Sequence, residues 1–403
     1  MVKKLNISIR SINLKEKFKD IHHVEIAGIS SVDNQYAVLL NIWHTEEYIL
    51  LYQQIVVINK FRITKEYKLS KNLKWNCIYS FNDGSYLLGS KFHNLYSGAA
   101  LVLFKDNKIA MSKIFDKGYS TEISSIQIDK DDTLLIKGNW YKYVASGSHD
   151  DYFPELWQSK IRIESSGFIE EDLDDLYPTS IKFSVYDSDL NPENYYVLED
   201  FGISKYNNDS VLIWNQGLGH FGSESLQPIN KIVPFYKTQN QETIQDGVWF
   251  SGTDHTNSDR SLSEPLFGRI TAGGTILSFK NTLFNFSEIY KIHTIIPGVD
   301  NNCLLIGETL IKGEGNGLCL LYNHFSEGIW QQDIQYLNFG KTGLELMIQN
   351  TPEFHNRYLQ IKEIYPQSER LEDLEEIIIF GNADHLRYRD NGYIWSVRID
   401  NTF

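Results

Sequence analysis

Three cysteines in 403 residues, an odd number, leave no basis for a disulfide framework. Cys77, Cys303 and Cys319 each sit in an apolar, strand-like run, where a thiol behaves as a small buried hydrophobe. Long apolar runs are missing as well, and no stretch approaches the roughly 18 residues that a membrane helix requires. The N-terminal MVKKLNISIRSINLKEKFKD starts basic but has no continuous apolar core, so no signal peptide is expected. These absences place the chain, as an expectation, in the cytoplasm and off the membrane. Positive charge is in deficit: 38 Lys and Arg face 52 Asp and Glu, a net −14, and no local basic stripe offsets it. Such a surface repels a phosphate backbone, so nucleic acid is not an expected partner.

Chemistry-bearing motifs are equally scarce. Asp187-x-Asp189-x-Asn191 has the opening spacing of a calcium loop, but Pro192 follows it and the closing bidentate Glu is missing. Gly313-Glu314-Gly315-Asn316-Gly317 is glycine-rich yet lies within a hairpin pattern and opens no helix, so it is no phosphate loop. Neither Ser90 nor Ser251-Gly252 makes a nucleophile elbow. No metal and no cofactor is therefore expected.

What the chain has in abundance is aromatic residues, 24 Tyr, 22 Phe and 8 Trp, which suit a pleated, half-buried surface. They are organised by an internal repeat. Its clearest copy is WNCIYSFNDGSYLLGS followed by GAALVLFKDNKIAMSKIF, residues 75–90 and 98–115. This reads as an apolar strand, an Asp-Gly turn, a second strand ending in Gly, a loop and another hairpin. The phrase returns as EISSIQIDKDDTLLIKG, HTIIPGVDNNCLLIGE, IKEIYPQSERLEDLEEIIIFG and, more loosely, VEIAGISSVDNQYAVLLN. FGISKYNNDSVLIWN and FGRITAGGTILSFKN align as second hairpins of two further units. Three late units share an I-x-x-I-x-P opening: Ile229 to Pro234, Ile292 to Pro297 and Ile361 to Pro366. First strands begin near residues 24, 74, 121, 180, 229, 290 and 359, a spacing suited to four-stranded blades.

The two ends of the chain complement each other. The last unit stops after its third strand, GYIWSVRIDNTF, and an unassigned strand at residues 4–13 precedes the first. The expectation is one all-β domain over residues 1–403, a seven-bladed β-propeller whose N-terminal strand completes the last blade. The D-G-x-x-L-x-G-S phrase at Asp83 to Ser90, with the apolar hairpin behind it, resembles the repeats of bacterial β-propellers. That resemblance covers nearly the whole chain and implies a fold, not an activity.

In such a fold, loops from second to third strands share a face with the loops between blades, and long loops on a rigid scaffold carry binding residues. Read in order they hold Trp43-His44, Phe92-His93, Trp140-Tyr141, Asp254-His255 and Asp384-His385, with Arg387 beyond; His22 and His23 fall at the mouth of the first inner strand. Two uses of this face compete. In the first, a non-enzymatic scaffold or partner-neutralising protein engages a protein partner through Trp, Tyr and Arg anchors. In the second, His22, His23, His44, His93, His255 or His385 act as acid–base groups of an enzyme, oriented by Asp254 or Asp384. Metal catalysis is disfavoured because equivalent positions on separate blades form too wide a ring for one ion.

Overall fold

The computed structural model describes residues 6–18, 21, 23–44, 50–69, 73–91, 98–117, 119–128, 133–146, 149–171, 184–186, 194–199, 202–207, 209, 211–217, 229–254, 264–278, 289–299, 302–311, 315–326, 329–335, 357–385 and 391–400. The chain opens on β1 (Asn6–Asn13) and a 3-10 turn (Leu14–Lys17). The first sheet is β2 (His23–Val32), β3 (Gln35–Trp43), β4 (Leu50–Asn59) and β5 (Arg62–Lys68). The second is β6 (Lys74–Ser80), β7 (Tyr86–Lys91), β8 (Ala99–Lys105) and β9 (Lys108–Phe115). The third is β10 (Tyr119–Ile128), β11 (Leu134–Ser146), β12 (His149–Glu164) and β13 (Gly167–Glu171). A fourth follows with β14 (Ser184–Tyr186), β15 (Tyr195–Glu199), β16 (Gly202–Tyr206) and β17 (Leu212–Gly217). The fifth is β18 (Ile229–Gln239), β19 (Glu242–Asp254), β20 (Glu264–Thr271) and β21 (Ile276–Ser278). The remaining strands are β22 (Ile289–Pro297), β23 (Cys303–Ile311), β24 (Gly315–Ser326), β25 (Ile329–Gln335), β26 (Arg357–Pro366), β27 (Glu376–His385) and β28 (Asn391–Asp400).

The architecture is all-β and of the propeller type, built of antiparallel meanders taken in chain order. The count departs from expectation. Among the described residues there are six sheets, not seven, because β22 to β28 and β1 form one eight-stranded sheet ordered β1-β28-β27-β26-β24-β23-β22, with β25 on β24. A single parallel bridge, Gly315 opposite Arg357, joins β24 to β26. A sequence repeat marks units along the chain and carries no trace of a backbone bridge between two of them.

Two compact units result, one of residues 13–179 with 389–393, the other of residues 1–12, 180–388 and 394–403. The first unit holds sheets one to three. Leu39, Ile55 and Val57 pack on Trp75, Ile78, Leu88 and Val102, while Leu87, Leu101 and Phe115 pack on Ile123, Ile136, Trp157 and Ile161. In the second unit Tyr196, Leu198 and Ile203 meet Ile232, Val248, Phe250 and Ile270, and Phe235 and Trp249 meet Ile292, Ile295, Cys303 and Leu305. Cys77 and Cys303 are buried and neither forms a disulfide. The acidic segment Ser368–Glu376 is anchored by Leu371 and Leu374, both buried, and Glu372 accepts a hydrogen bond from the Val299 N–H at 2.7 Å.

Four hairpins turn on two residues that both have positive φ: Asp33-Asn34, Lys60-Phe61, Asp106-Asn107 and Asn240-Gln241. That is the primed geometry whose twist matches the flanking strands. The Asp83-Gly84 hairpin is built differently. Gly84, at φ +80°, donates to the Phe81 carbonyl, and the Asp83 carboxylate accepts from the Ser85 N–H at 2.9 Å and from Lys105 Nζ at 2.8 Å. The Lys105 ammonium and then Ser85 hold the Asp83 carboxyl at about 2, below the ordinary 3.8. The anion therefore stabilises the fold above the ordinary value, and that contribution is lost as pH falls towards about 2. Asp83→Asn should flatten this acid limb when urea midpoints are compared across the range, by less than about 1 kcal/mol because the pair is exposed.

One irregularity recurs in the first strand of six strand groups. A single extra residue bulges out: Ala27 in β2, Asn76 in β6, Ser124 in β10, Asn230 in β18, His293 in β22 and Lys362 in β26. In the last four of these the residue paired just before the bulge is a glycine, namely Gly138, Gly252, Gly307 and Gly381. Bulges fix register and re-aim the side chains beside them.

Candidate functional site

The bulges give each first strand a common ruler. One pair before the bulged pair stand Glu25 opposite Asn41, Lys74 opposite Lys91 and Glu122 opposite Asn139, in sheets one to three. Carboxylate–amide pairs thus flank a pair of lysines. Asn41 Nδ2 donates to Glu25 Oε2 at 3.0 Å, and Asn139 Nδ2 donates to Glu122 Oε1 at 2.9 Å. Lys91 Nζ reaches back 3.4 Å to Glu122 Oε2. Lys74 turns the other way and places its Nζ 5.3 Å from the Trp43 ring centroid, within cation–π range.

Trp43 ends β3 opposite His23 at the start of β2, and their rings stack at 5.5 Å with an interplanar angle of 14°. His23 is buried, Trp43 half-buried and His44, the next residue, exposed. Two residues before Trp43, Asn41 joins a second set of contacts. Asn41 Oδ1 accepts from Gln53 Nε2 at 2.5 Å, and the same amide donates to the Trp75 carbonyl at 2.6 Å and accepts from the Trp75 N–H at 2.7 Å. A polar ladder therefore runs from Glu25 on β2 through β3 and β4 to β6 of the next sheet. An indole stacked on His23 and faced by Lys74 loses little freedom when something binds against it.

Of the residues singled out in the sequence, His23, Trp43 and His44 come together here. Trp140 follows Asn139 and packs, half-buried, against the second core. Tyr141 lies opposite Tyr119 on the β10–β11 ladder. Asp254 ends β19, and Asp384 and His385 end β27; these three belong to the other unit. The side chains of Tyr141, Asp254, Asp384 and His385 lie outside the described residues, as do His22, Phe92, His93, His255 and Arg387 entirely. On β12–β13 of the third sheet, Glu170 meets Lys113 at 3.2 Å and Lys117 at 3.6 Å, and Glu171 pairs with Arg162.

Sequence reasoning missed Glu25, Asn41, Lys74, Lys91, Glu122 and Asn139. A polar residue recurs where the apolar run of a second strand ends, at Asn41, Asn139 and Asn382, and that was the available signal. Cys77 offers no nucleophile, because burial pushes its thiol up to about 12. Among the described residues no three His, Cys, Asp or Glu side chains gather as metal ligands would.

No protein-family model and no curated protein matches the chain. Solved structures resemble it weakly. A protein of unknown function from Dyadobacter fermentans DSM 18053 shares 9% identity over 97% of this chain and 99% of its own, at TM-score 0.40. The subtype N11 neuraminidase-like protein of A/flat-faced bat/Peru/033/2010 shares 10% identity over 94% of this chain and 88% of its own, at TM-score 0.36. Trypanosoma rangeli sialidase in complex with sialic acid shares 9% over 94% of this chain and 54% of its own, at TM-score 0.30.

Proposed function

We propose that this chain is a non-enzymatic, cytoplasmic binding protein that engages a protein partner through the strand-end cluster of its first three sheets. The observation that supports this reading is the half-buried Trp43, ordered against His23 and Lys74, with exposed His44 beside it. Pre-ordered aromatic anchors beside a cation are what protein interfaces concentrate their energy on. The Glu25 and Glu122 carboxylates and the Lys74–Lys91 pair supply polar groups of both signs around that anchor, which favours a protein surface over a polyanion. In the same proposal, β1 serves as the fourth strand beside β26–β28 and the propeller acts as a rigid carrier.

The test is a pull-down from cell extract comparing wild type with Trp43→Ala/His44→Ala, and with Lys74→Glu as a milder change. A stoichiometric partner should be retained by wild type and bound roughly 30-fold more weakly by the double variant, the loss of about 2 kcal/mol typical of an anchor. Urea midpoints within experimental error would show that folding is intact. Equal retention by all three proteins would overturn the reading.

A further inference from the structure

β17 ends the fourth sheet, and among the described residues its one strand neighbour is β16. Its other edge therefore carries unpaired N–H and C=O groups. Val211, Leu212 and Ile213, consecutive in the chain, are 58%, 51% and 48% exposed. The strand is nevertheless fixed in place. Trp214 Nε1 donates to the Ala272 carbonyl at 3.1 Å, and Asn215 Nδ2 donates to Ser204 Oγ at 2.7 Å.

Sheets protect such edges with charge or by keeping them short. The other outer strands do so. β5 carries Arg62, Lys65, Glu66 and Lys68, and β9 carries Lys108 and Lys113. Glu170 and Glu171 stand on β13 and Asp333 on β25, while β21 is 3 residues long. By contrast β17 reads LIWNQG, 6 residues without a charge or a proline. Its bulge at Ile213 leaves Trp214 to Gly217 in unbroken register.

We propose that β17 pairs antiparallel with β17 of a second copy of this chain, about a two-fold axis, and so closes a dimer. Charge and shape both favour a second copy. Each chain carries a net −14, so two copies repel except where the surfaces that meet are neutral, and this edge is neutral. Full overlap of the two strands sets Leu212 of each opposite Gly217 of the other. A Cβ on Gly217 would find nothing within 4 Å, so the leucine has room there. Three half-exposed side chains fall well short of the roughly 800 Å² per partner of a standard interface, so the dimer is weak and forms at high concentration. The strand shares no residue with the Trp43 cluster, and either proposal can fail alone.

Sedimentation velocity of the full chain, from about 10 µM to about 1 mM, tests it. The weight-average mass of wild type should climb towards twice that of the monomer and no further. Leu212→Lys/Ile213→Lys, which gives β17 the charge that other edges carry, should hold the monomer mass throughout. Ile114→Lys, at a residue 72% exposed on the guarded β9, should dimerise as wild type does. A wild type that stays monomeric or grows beyond a dimer would overturn the proposal. So would a double variant that still dimerises, or an Ile114→Lys protein that does not. Should the double variant fail to fold, amide exchange of wild type decides: protection along β17 must rise with concentration, and unchanged exchange there overturns the pairing.

Discussion

Gln53→Ala is expected to destabilise the unit of residues 13–179 by about 3 kcal/mol, read as a fall in urea midpoint. Gln53 is 1% exposed and its side-chain amide stands in for a strand. It donates to the Trp75 carbonyl and accepts from the Trp75 N–H, as a neighbouring backbone would, and so ties the first sheet to the second. Alanine orphans both Trp75 groups and also Asn41 Oδ1, which accepts from the same amide. Each buried orphan costs about 1–3 kcal/mol, and water entering the vacated space recovers part of the sum. Gln53→Glu separates hydrogen bonding from volume. It keeps the shape but sets carboxylate oxygens against the Trp75 carbonyl and Asn41 Oδ1. It should therefore be at least as damaging as alanine at neutral pH. A Gln53→Ala protein with an unchanged midpoint would show that packing, not the amide, joins the two sheets.

Much of the fold was legible because its signals are local. Asp83-Gly84 between two apolar runs announces a hairpin, and φ +80° at Gly84 is what glycine supplies there. Other turns were illegible. Lys60-Phe61 makes the same primed turn as Asp33-Asn34, yet neither residue favours positive φ, so the flanking strands impose it. The merger of two strand groups through Gly315 and Arg357 was equally hidden, being one long-range bridge. The site divides in the same way. Trp43, His23 and His44 stood out as aromatic and titratable residues at strand ends. Glu25, Asn41 and Lys74 looked ordinary because their meaning depends on a one-residue bulge setting the pairing.

Gly138→Ala should cost about 3 kcal/mol or more, the upper range of overpacking, while Gly217→Ala should stay within about 0.5 kcal/mol of wild type. Both glycines lie in strands, so intrinsic strand preference predicts the same small gain for each. Their surroundings differ. A Cβ on Gly138 would stand 2.0 Å from the Glu122 carbonyl oxygen and 2.6 Å from the Trp157 ring, while Gly217 has nothing within 4 Å. Rotating Trp157 does not cure the first contact, because Glu122 O is backbone at the bulged start of β10. Relief requires β10 and β11 to part beside the bulge, which drags Glu122 and Asn139 with them and disturbs the Lys91–Glu122 ion pair. Gly138→Ala is therefore expected to combine a lower urea midpoint with faster amide exchange along β10 and β11. A near-neutral Gly138→Ala would mean that the β10 bulge yields at little cost, and the ruler that aligns Glu122 and Asn139 would lose its rigidity.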